Sequence, residues 1–363
     1  MSVVKQYLLQ EVQKGSFPGF TYLIGHRNSI LEQGYGGFKS ITPVKEKMSK
    51  NVIYDVASLT KPLVTAAIFI KLCEEKIVRI NNTIETYLPV MKKISSGAIT
   101  PADLLTHSSG ITAWHPMYVY GSSIEEYMDA IAGMNLEYAA RKDVKYSCIG
   151  YIILAGIIHK VTGKYVETLF KELVTDKLNL KNTFLYCRKD NLQKIAPTEQ
   201  GSEYEKMLVQ NMGKQFNRWR NYMMRGEVHD CNSYYANGQT GNSGLFSTAT
   251  ELFALTQLFL EEGLLFSQQS LKLFYENKTQ FSEEHWSLGW KLITSKDSTG
   301  KPLSGKAVGH SGFTGTSLWI EPEQKNVYIL LTNRIHPRVT NVDMNQIRRN
   351  FHRLCSQAKY LQD

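Results

Sequence analysis

Cysteine is scarce in this chain of 363 residues, and the cysteines that occur form no recognisable motif. They are Cys73, Cys148, Cys187, Cys231 and Cys355. An odd number argues against a framework of paired disulfides, and the lack of a CxxC motif argues against a zinc site. The cysteine usage therefore predicts a protein of a reducing compartment, the cytoplasm. A periplasmic or extracellular location is the alternative if an export signal has been removed.

Long apolar runs and nucleotide-binding loops are also missing. The longest apolar window, IGYIILAGII at 149–158, is too short to cross a bilayer, so we expect no membrane span. The N-terminal MSVVKQYLLQEVQKG has the pattern of an amphipathic helix that ends at Gly15, and differs from a signal peptide. NGQTGNSG at 237–244 lacks both the GxGxxG spacing and a preceding strand, which excludes a phosphate-binding loop.

The chain has no block of five like charges, although its formal net charge is +9. Two basic stretches contain aromatic residues, KQFNRWRNYMMR at 214–225 and IRRNFHRL at 347–354. Such stretches can bind nucleic acid, but they more often lie on helices whose basic side chains cover apolar surface. We expect no nucleic-acid partner. RNA binding through 214–225 is an alternative that salt-sensitive retention on RNA would reveal.

Strand-like segments lie at both ends of the chain, with helical segments between them. The predicted strands are GFTYLIG (19–25), SILEQGYG (29–36), SLGWKLIT (287–294), AVGHSG (307–312) and two runs within 316–333. The predicted helices are one opened by Ser58 that runs to Glu75, one from Thr100 to Gly110, several within 123–275, and a last one from about Asn341 to Leu361. This order predicts an α+β fold, with an antiparallel sheet flanked by helices and an all-α insertion.

The same order predicts two domains. Residues 1–62 and 285–363 would form an α/β domain that contains the sheet, and residues 63–284 would form a mainly helical domain. We expect the active site at their interface.

Ser58 and Lys61 in VASLTKP (56–62) lie three positions apart, directly before an apolar run. In a helix, such residues share one face, so the hydroxyl and the amine would be adjacent in the first turn. The unpaired N–H groups of that turn and the helix dipole favour negative charge on a serine that has lost its proton. The pair predicts a nucleophile, although a lone Ser-x-x-Lys is more often an N-cap beside a solvated lysine.

Two further motifs offer groups that a Ser–Lys nucleophile needs. KYSCIGY (145–151) places Tyr146 in a loop before a helix, where nearby ammonium groups can lower the pKa of a phenol. GHSGFTG (309–315) places His310 on a polar strand between small residues, so that a substrate backbone can lie alongside. Each motif is a weak signal when it stands alone.

In this order, SLTK (58–61), YSC (146–148) and HSG (310–312) resemble the three motifs of the serine β-lactamase and penicillin-binding-protein superfamily. Those motifs are Ser-x-x-Lys, Tyr-x-Asn and Lys/His-Thr/Ser-Gly, and the branch is the class C-like one with serine esterases and D-aminopeptidases. Segments such as LLTHSSGI (104–111), SGLFSTATEL (243–252) and LTNRIHP (331–337) also look like family signatures, so the resemblance covers nearly the whole chain. It implies a β-lactamase/transpeptidase-like fold.

The resemblance also implies a role for each motif residue. Ser58 is then the nucleophile, Lys61 shares or takes its proton, and Tyr146 relays a proton to the leaving group. His310 stands where the family has Lys or His, and the backbone N–H groups of Ser58 and Phe313 form the oxyanion hole. The implied substrate-binding residues are Cys148, Ser311, Gly312 and Phe313. The reaction is acyl transfer to serine followed by hydrolysis, with no cofactor and no metal.

Two positions depart from the family pattern. Cys148 stands where Asn or Asp is usual, and a thiol is a poor hydrogen-bonding group. His310 replaces the lysine that would hold a substrate carboxylate. The other histidines near motifs, His107 and His229, are expected to be structural.

The sequence leaves the substrate open among an ester, an amide, a D-amino-acid peptide and a β-lactam. The alternative function is a non-catalytic homologue that binds penicillin or cell-wall peptides. The intact Ser58, Lys61 and Tyr146 favour catalysis, because a binding module does not need a proton-transfer set. We expect a small-molecule or peptide partner, and the sequence makes no prediction of the oligomeric state.

Overall fold

The computed structural model describes residues 1–95, 98–301 and 303–357. The strands within these ranges are β1 (Gly19–His26), β2 (Ser29–Ser40), β3 (Glu46–Lys47), β4 (Tyr54–Asp55), β5 (Phe184–Leu185), β6 (Leu245–Ser247), β7 (Lys291–Leu292), β8 (Val308–Ser311), β9 (Ser317–Glu321) and β10 (Asn326–Thr332). The α-helices are α1 (Val3–Gln13), α2 (Ala67–Glu74), α3 (Lys92–Ser95), α4 (Pro101–Leu105), α5 (Ile124–Ala132), α6 (Cys148–Thr162), α7 (Val166–Phe170), α8 (Glu203–Asn211), α9 (Cys231–Tyr235), α10 (Ala249–Leu260), α11 (Gln268–Leu273) and α12 (Met344–Ser356).

The main sheet has seven strands in the order β3-β2-β1-β10-β9-β8-β7. Strand β1 forms the predicted hairpin with β2 and pairs on its other side with β10, from Phe20 opposite Thr332 to His26 opposite Asn326. All paired neighbours run antiparallel. The sheet thus joins the two ends of the chain, and the predicted α+β fold is confirmed.

Helices cover both faces of this sheet, which explains why β1 and β10 are apolar and buried along nearly their whole length. On one face α1 and α12 pack on Phe20, Tyr22 and Tyr328. On the other face α10 packs on β1 and β10. Burying one large apolar side chain contributes about 1.5–3 kcal/mol, so these contacts hold the sheet rigid.

The central helix of the remaining part is α6, whose residues from Ile149 to Ile158 are all buried. A helix that is apolar on every side belongs in a protein core. Ser147 caps its start by accepting a hydrogen bond from the N–H of Gly150 at 3.1 Å, and Gly163 ends it with a φ of +69°. The start of α6 is therefore fixed beside the residues discussed below. None of the described helices has the length and apolarity needed to cross a membrane.

A second, smaller sheet has the order β4-β6-β5 and was not predicted. Its strands are only two or three residues long, which is too short for an alternating pattern to show in the sequence. Strand β4 leads directly to Ser58, so this sheet fixes the approach to the predicted nucleophile.

Three element boundaries differ from the prediction. The strand predicted over 287–294 is limited to β7, because Gly289 has a φ of +99° and a Cβ there would lie 2.6 Å from the Cβ of Ala66. Helix α4 starts after Thr100 as predicted but ends at Leu105, since His107 adopts a left-handed φ of +60°. Helix α12 begins at Met344 and ends at Ser356, and the predicted end at Leu361 lies outside the described residues.

Candidate active site

The chain turns sharply between β4 and Ser58. Ala57 has a φ of +50°, a conformation that costs a non-glycine residue about 1–3 kcal/mol and persists only where neighbours impose it. The carboxylate of Asp55 imposes it here by accepting hydrogen bonds from the N–H groups of Ala57 and His229, both at 2.8 Å. Burial raises the pKa of Asp55, and these two hydrogen bonds oppose that rise. The turn is therefore anchored at a buried carboxyl group.

Lys61 lies beside Ser58 as the spacing predicted. Its Nζ donates to Ser58 Oγ at 3.0 Å, to the carbonyl oxygen of Asn242 at 2.8 Å and to Cys148 Sγ at 3.4 Å. The side chain is completely buried, so these three contacts satisfy an ammonium group that water cannot reach. The helix that carries it begins with a 3₁₀ turn at Ala57–Leu59 and a π-helical turn at Lys61–Ala66 before α2.

Tyr146 lies in the loop before α6, as predicted. The residue as a whole is 36% exposed, and its ring centre lies 5.0 Å from Lys61 Nζ. His107 packs behind it at 4.5 Å between ring centres, and His107 Nδ1 accepts from the N–H of Ser147 at 3.1 Å. These contacts support the ring from behind, and the Tyr146 hydroxyl lies within hydrogen-bond reach of Lys61 and Ser58.

The ionisable groups around Ser58 are coupled. Burial raises the pKa of Tyr146, whereas the charge of Lys61 lowers it less strongly. Burial likewise raises the pKa of Cys148. Burial opposes the charge on Lys61, but the electrostatic and hydrogen-bond contacts with Cys148 and Tyr146 together favour it more, and the net effect raises the pKa of the amine. At rest Lys61 is therefore an ammonium group, and its charge favours an alkoxide at Ser58.

His310 lies on β8, and its ring centre is 5.8 Å from that of Tyr146. Its Nδ1 lies 2.9 Å from the carbonyl oxygen of Ser311, and its Nε2 has no hydrogen-bond partner among the described residues. Burial and then the charge of Lys61 lower the pKa of His310 to about 3. The imidazole is therefore neutral at neutral pH, and the strand carries no cation at this position.

We expect the buried neutral His310 to make the protein less stable in acid. An unfolded histidine has a pKa near 6.5, so between pH 6.5 and 3 the unfolded state binds a proton that the folded state rejects. The free energy of unfolding then falls as the pH falls, by about 3 kcal/mol at pH 4 for this group alone. Urea unfolding at pH 7 and pH 4 should show a smaller loss in His310→Gln. Equal losses in the two proteins would contradict the assignment.

The turn that follows HSG is hydrogen-bonded directly to the turn between β4 and Ser58. Thr316 Oγ1 donates to the carbonyl oxygen of Val56 at 3.0 Å, and Thr314 Oγ1 donates to that of Asp55 at 2.8 Å. A glycine is required at position 312, because a Cβ there would lie 2.4 Å from the carbonyl oxygen of Val56. In the described chain, the backbone N–H groups of Ser58 and Phe313 donate to no acceptor. They are therefore available as a pair of hydrogen-bond donors.

Two cavities meet at Ser58, and Tyr146 and Phe313 also line both of them. The larger has a volume of about 730 Å³, and its walls include His310 and Trp286. The smaller has a volume of about 290 Å³ and is mainly apolar. Its lining includes Trp114, Cys148, Leu208, Glu205 and Asp230. A substrate can thus extend to either side of the serine.

Comparison with known proteins agrees with this geometry. The model of the family described as Beta-lactamase matches residues 4–352. The chain belongs to the Beta-lactamase family. It is 28% identical to the N-acetylmuramyl-L-alanine amidase of Bacillus subtilis (strain 168) over 371 residues, which cover 94% of this chain and 82% of that protein.

Solved structures share the Beta-lactamase-family fold. A class C beta lactamase aligns with a TM-score of 0.74 at 15% identity, covering 98% of this chain and 97% of its own. EstCE1, a hydrolase with promiscuous acyltransferase activity, aligns with a TM-score of 0.73 at 16% identity, covering 96% and 97%. The predictions of a β-lactamase-related family and of a serine hydrolase are confirmed.

The structure adds residues that sequence reasoning missed. They are Asp55, Asn242, Trp286, Thr314 and Thr316. The two threonines lie in GFTGT, directly after the recognised HSG, and could have been found there. His229, predicted to be structural, lies 2.8 Å from Glu199 through its Nε2 and faces the smaller cavity. Among the described residues, no cluster of three or more His, Cys, Asp or Glu side chains is placed to hold a metal ion.

Proposed function

We propose that this Beta-lactamase-family hydrolase cleaves small esters and amides through an acyl-enzyme on Ser58. The observation that carries the proposal is the 3.0 Å contact between the buried ammonium of Lys61 and Ser58 Oγ. An unpaired buried lysine would be costly, and this one points its charge at the serine oxygen that must lose its proton in the reaction. The unpaired N–H groups of Ser58 and Phe313 support the same reaction, because they suit a developing oxyanion.

The reaction then proceeds in two steps. Ser58 Oγ attacks the substrate carbonyl and gives its proton to Lys61 as the Lys61 ammonium gives one of its own to Tyr146 and the Tyr146 phenol gives its proton to the leaving group. The bond from the carbonyl carbon to that group breaks, and Lys61 and Tyr146 end in the protonation states in which they began. Water next attacks the acyl-enzyme, giving its proton back through the same residues and releasing the acid and free Ser58. The two N–H groups bind the carbonyl oxygen in both steps. We place the acyl group in the 290 Å³ cavity, since its walls are mainly apolar.

A substrate panel tests the proposal. We expect turnover of p-nitrophenyl acetate or butyrate and of D-amino-acid amides, with slower hydrolysis of nitrocefin. An amide substrate is supported by the name of the related amidase. A protein that binds fluorescent penicillin reversibly but turns over none of these compounds would instead be the non-catalytic homologue.

Tyr146→Phe separates proton transfer from packing. The change keeps the ring against His107 and removes only the hydroxyl, so we expect the fold to persist and turnover to fall by about 10²–10⁴. Ester kinetics and thermal melting measure the two effects. Turnover within a few-fold of that of the unaltered enzyme would assign the proton relay to another group.

We also propose that the fold divides into residues 1–62 with 285–363 and residues 63–284, with the site between them. The first unit would supply Ser58, His310 and, one residue before its boundary, Lys61. The second unit would supply Tyr146. A reducing compartment is a further proposal, supported by five cysteines that form no disulfide in the structure.

A further inference from the structure

Arg348 of α12 is a buried cation that points at the turn after HSG. It is 6% exposed, and its Nη2 donates to the carbonyl oxygens of Gly312 at 2.7 Å and Thr316 at 3.0 Å. Its Nη1 donates to Asn345 Oδ1 at 3.0 Å, and its Nε has no partner among the described residues. Burial lowers the pKa of Arg348 to about 9, so the group is still charged at neutral pH.

No carboxylate of the described chain forms an ion pair with this guanidinium, and only the charge of Asp343, at the start of α12, favours its charged form from beyond ion-pair distance. Burying a charge without a paired opposite charge is costly, and an apolar residue of similar size would fill the same space more cheaply. The charge of Arg348 therefore acts on the backbone carbonyl groups that it contacts.

The carbonyl of Gly312 and the N–H of Phe313 belong to one peptide unit. Resonance within that planar unit means that a positive charge at the oxygen draws electron density from the nitrogen and makes its N–H a stronger donor. The N–H of Phe313 is one of the two unpaired donors at Ser58. The guanidinium thus contacts the oxygen of the peptide whose N–H would bind the substrate carbonyl.

We propose that Arg348 is a positioning residue that polarises the Gly312–Phe313 peptide and so strengthens the hydrogen bond to the oxyanion. The inference rests on the proposed function of the Phe313 N–H. Arg334 provides an internal comparison, because its Nε donates at 2.8 Å to the oxygen of Phe313. That oxygen belongs to the next peptide, whose N–H is that of Thr314.

The test uses the full chain and four variants. Arg348→Gln keeps a neutral N–H donor, Arg348→Lys keeps the charge, Arg334→Gln removes the neighbouring cation, and Arg349→Gln removes a charge of α12 that contacts Gln346. Each protein is labelled with a fluorophosphonate, whose phosphoryl oxygen occupies the oxyanion position. The ³¹P resonance of the adduct and the kinetics of p-nitrophenyl acetate are then recorded, with thermal melting as the check of folding.

We expect Arg348→Gln to lower kcat about tenfold with little change in KM, a smaller loss than the 10²–10³ for removal of a whole oxyanion donor. Its ³¹P resonance should move toward that of the unfolded adduct, and Arg348→Lys should recover part of both effects. Arg334→Gln and Arg349→Gln should leave the resonance in place. The inference is overturned if the resonance does not move in Arg348→Gln, or if that variant raises KM at constant kcat. In either case, labelling of Ser58 by the fluorophosphonate still supports the proposed function. If the unaltered enzyme is not labelled at Ser58, the proposed function fails and the inference fails with it.

Discussion

We expect Ser58→Ala to lower ester turnover by at least about 10⁴-fold and to abolish the covalent adduct. The expected loss is this large because, in the proposed reaction, Ser58, Lys61 and Tyr146 act as one unit, and in such units removal of the nucleophile costs nearly as much as removal of all members. The hydrogen bond from Lys61 to Ser58 Oγ places this serine oxygen beside the buried amine.

Intact-mass spectrometry after a slow substrate or a fluorophosphonate measures the adduct, and digestion should place it on the peptide that contains VASLTK. Ser243→Ala is the matched control, because Ser243 lines the same smaller cavity but has no contact with Lys61 among the described hydrogen bonds. The adduct should persist in that variant. An adduct that survives in Ser58→Ala would show that Ser58 is not the nucleophile.

The Ser58–Lys61 contact could be predicted from the sequence because it is local. Residues three apart in a helix face the same way whatever the rest of the chain does, and the apolar run after Lys61 identified the helix. Tyr146 and His310 are different, since only the pairing of remote strands and the packing of α6 bring them to Ser58. Their motifs identified them through the resemblance, and local physics alone could not have joined them.

Other parts of the site leave no trace in the sequence. Lys61 donates to the main-chain oxygen of Asn242, and every residue has such an oxygen. The π-helical turn at Lys61–Ala66 follows from tertiary contacts, because the same residues also suit an ordinary helix. The role inferred for Arg348 arises likewise from the docking of α12 on the turn at Gly312, a contact between residues 36 positions apart.

We expect the substrate preference of the enzyme to depend on Cys148 and His310, the two positions that depart from the family pattern. Cys148 lines the smaller cavity, and its thiol accepts from Lys61 at 3.4 Å. A thiol cannot make the two hydrogen bonds that an asparagine amide gives to a substrate amide. His310 is neutral because burial lowers its pKa to about 3, so it cannot hold a carboxylate as a lysine would.

Four cationic side chains line the larger cavity, and all have partners. Arg348 donates to the carbonyl oxygens of Gly312 and Thr316, although its Nε has no partner among the described residues. Lys291 forms an ion pair with Glu284 at 2.7 Å, and Lys145 forms one with Glu137 at 2.5 Å. Arg334 donates to the carbonyl oxygens of Phe313 and Thr340. A substrate carboxylate would have to displace these contacts, which lowers the net gain from binding it.

We therefore expect the enzyme to hydrolyse p-nitrophenyl acetate or butyrate faster than nitrocefin, and Cys148→Asn with His310→Lys to shift this preference toward nitrocefin. Each contact to a charged or buried polar group contributes about 1.5–3 kcal/mol, so the two changes together should raise the ratio of nitrocefin to ester turnover by roughly 10²–10⁴. The single variants and the double variant, compared as a cycle, separate the two contributions. Adding Ser58→Ala to the double variant should abolish the gained activity, since both substrates acylate Ser58. The hypothesis fails if the unaltered enzyme already prefers nitrocefin, because Cys148 and His310 then do not limit its hydrolysis.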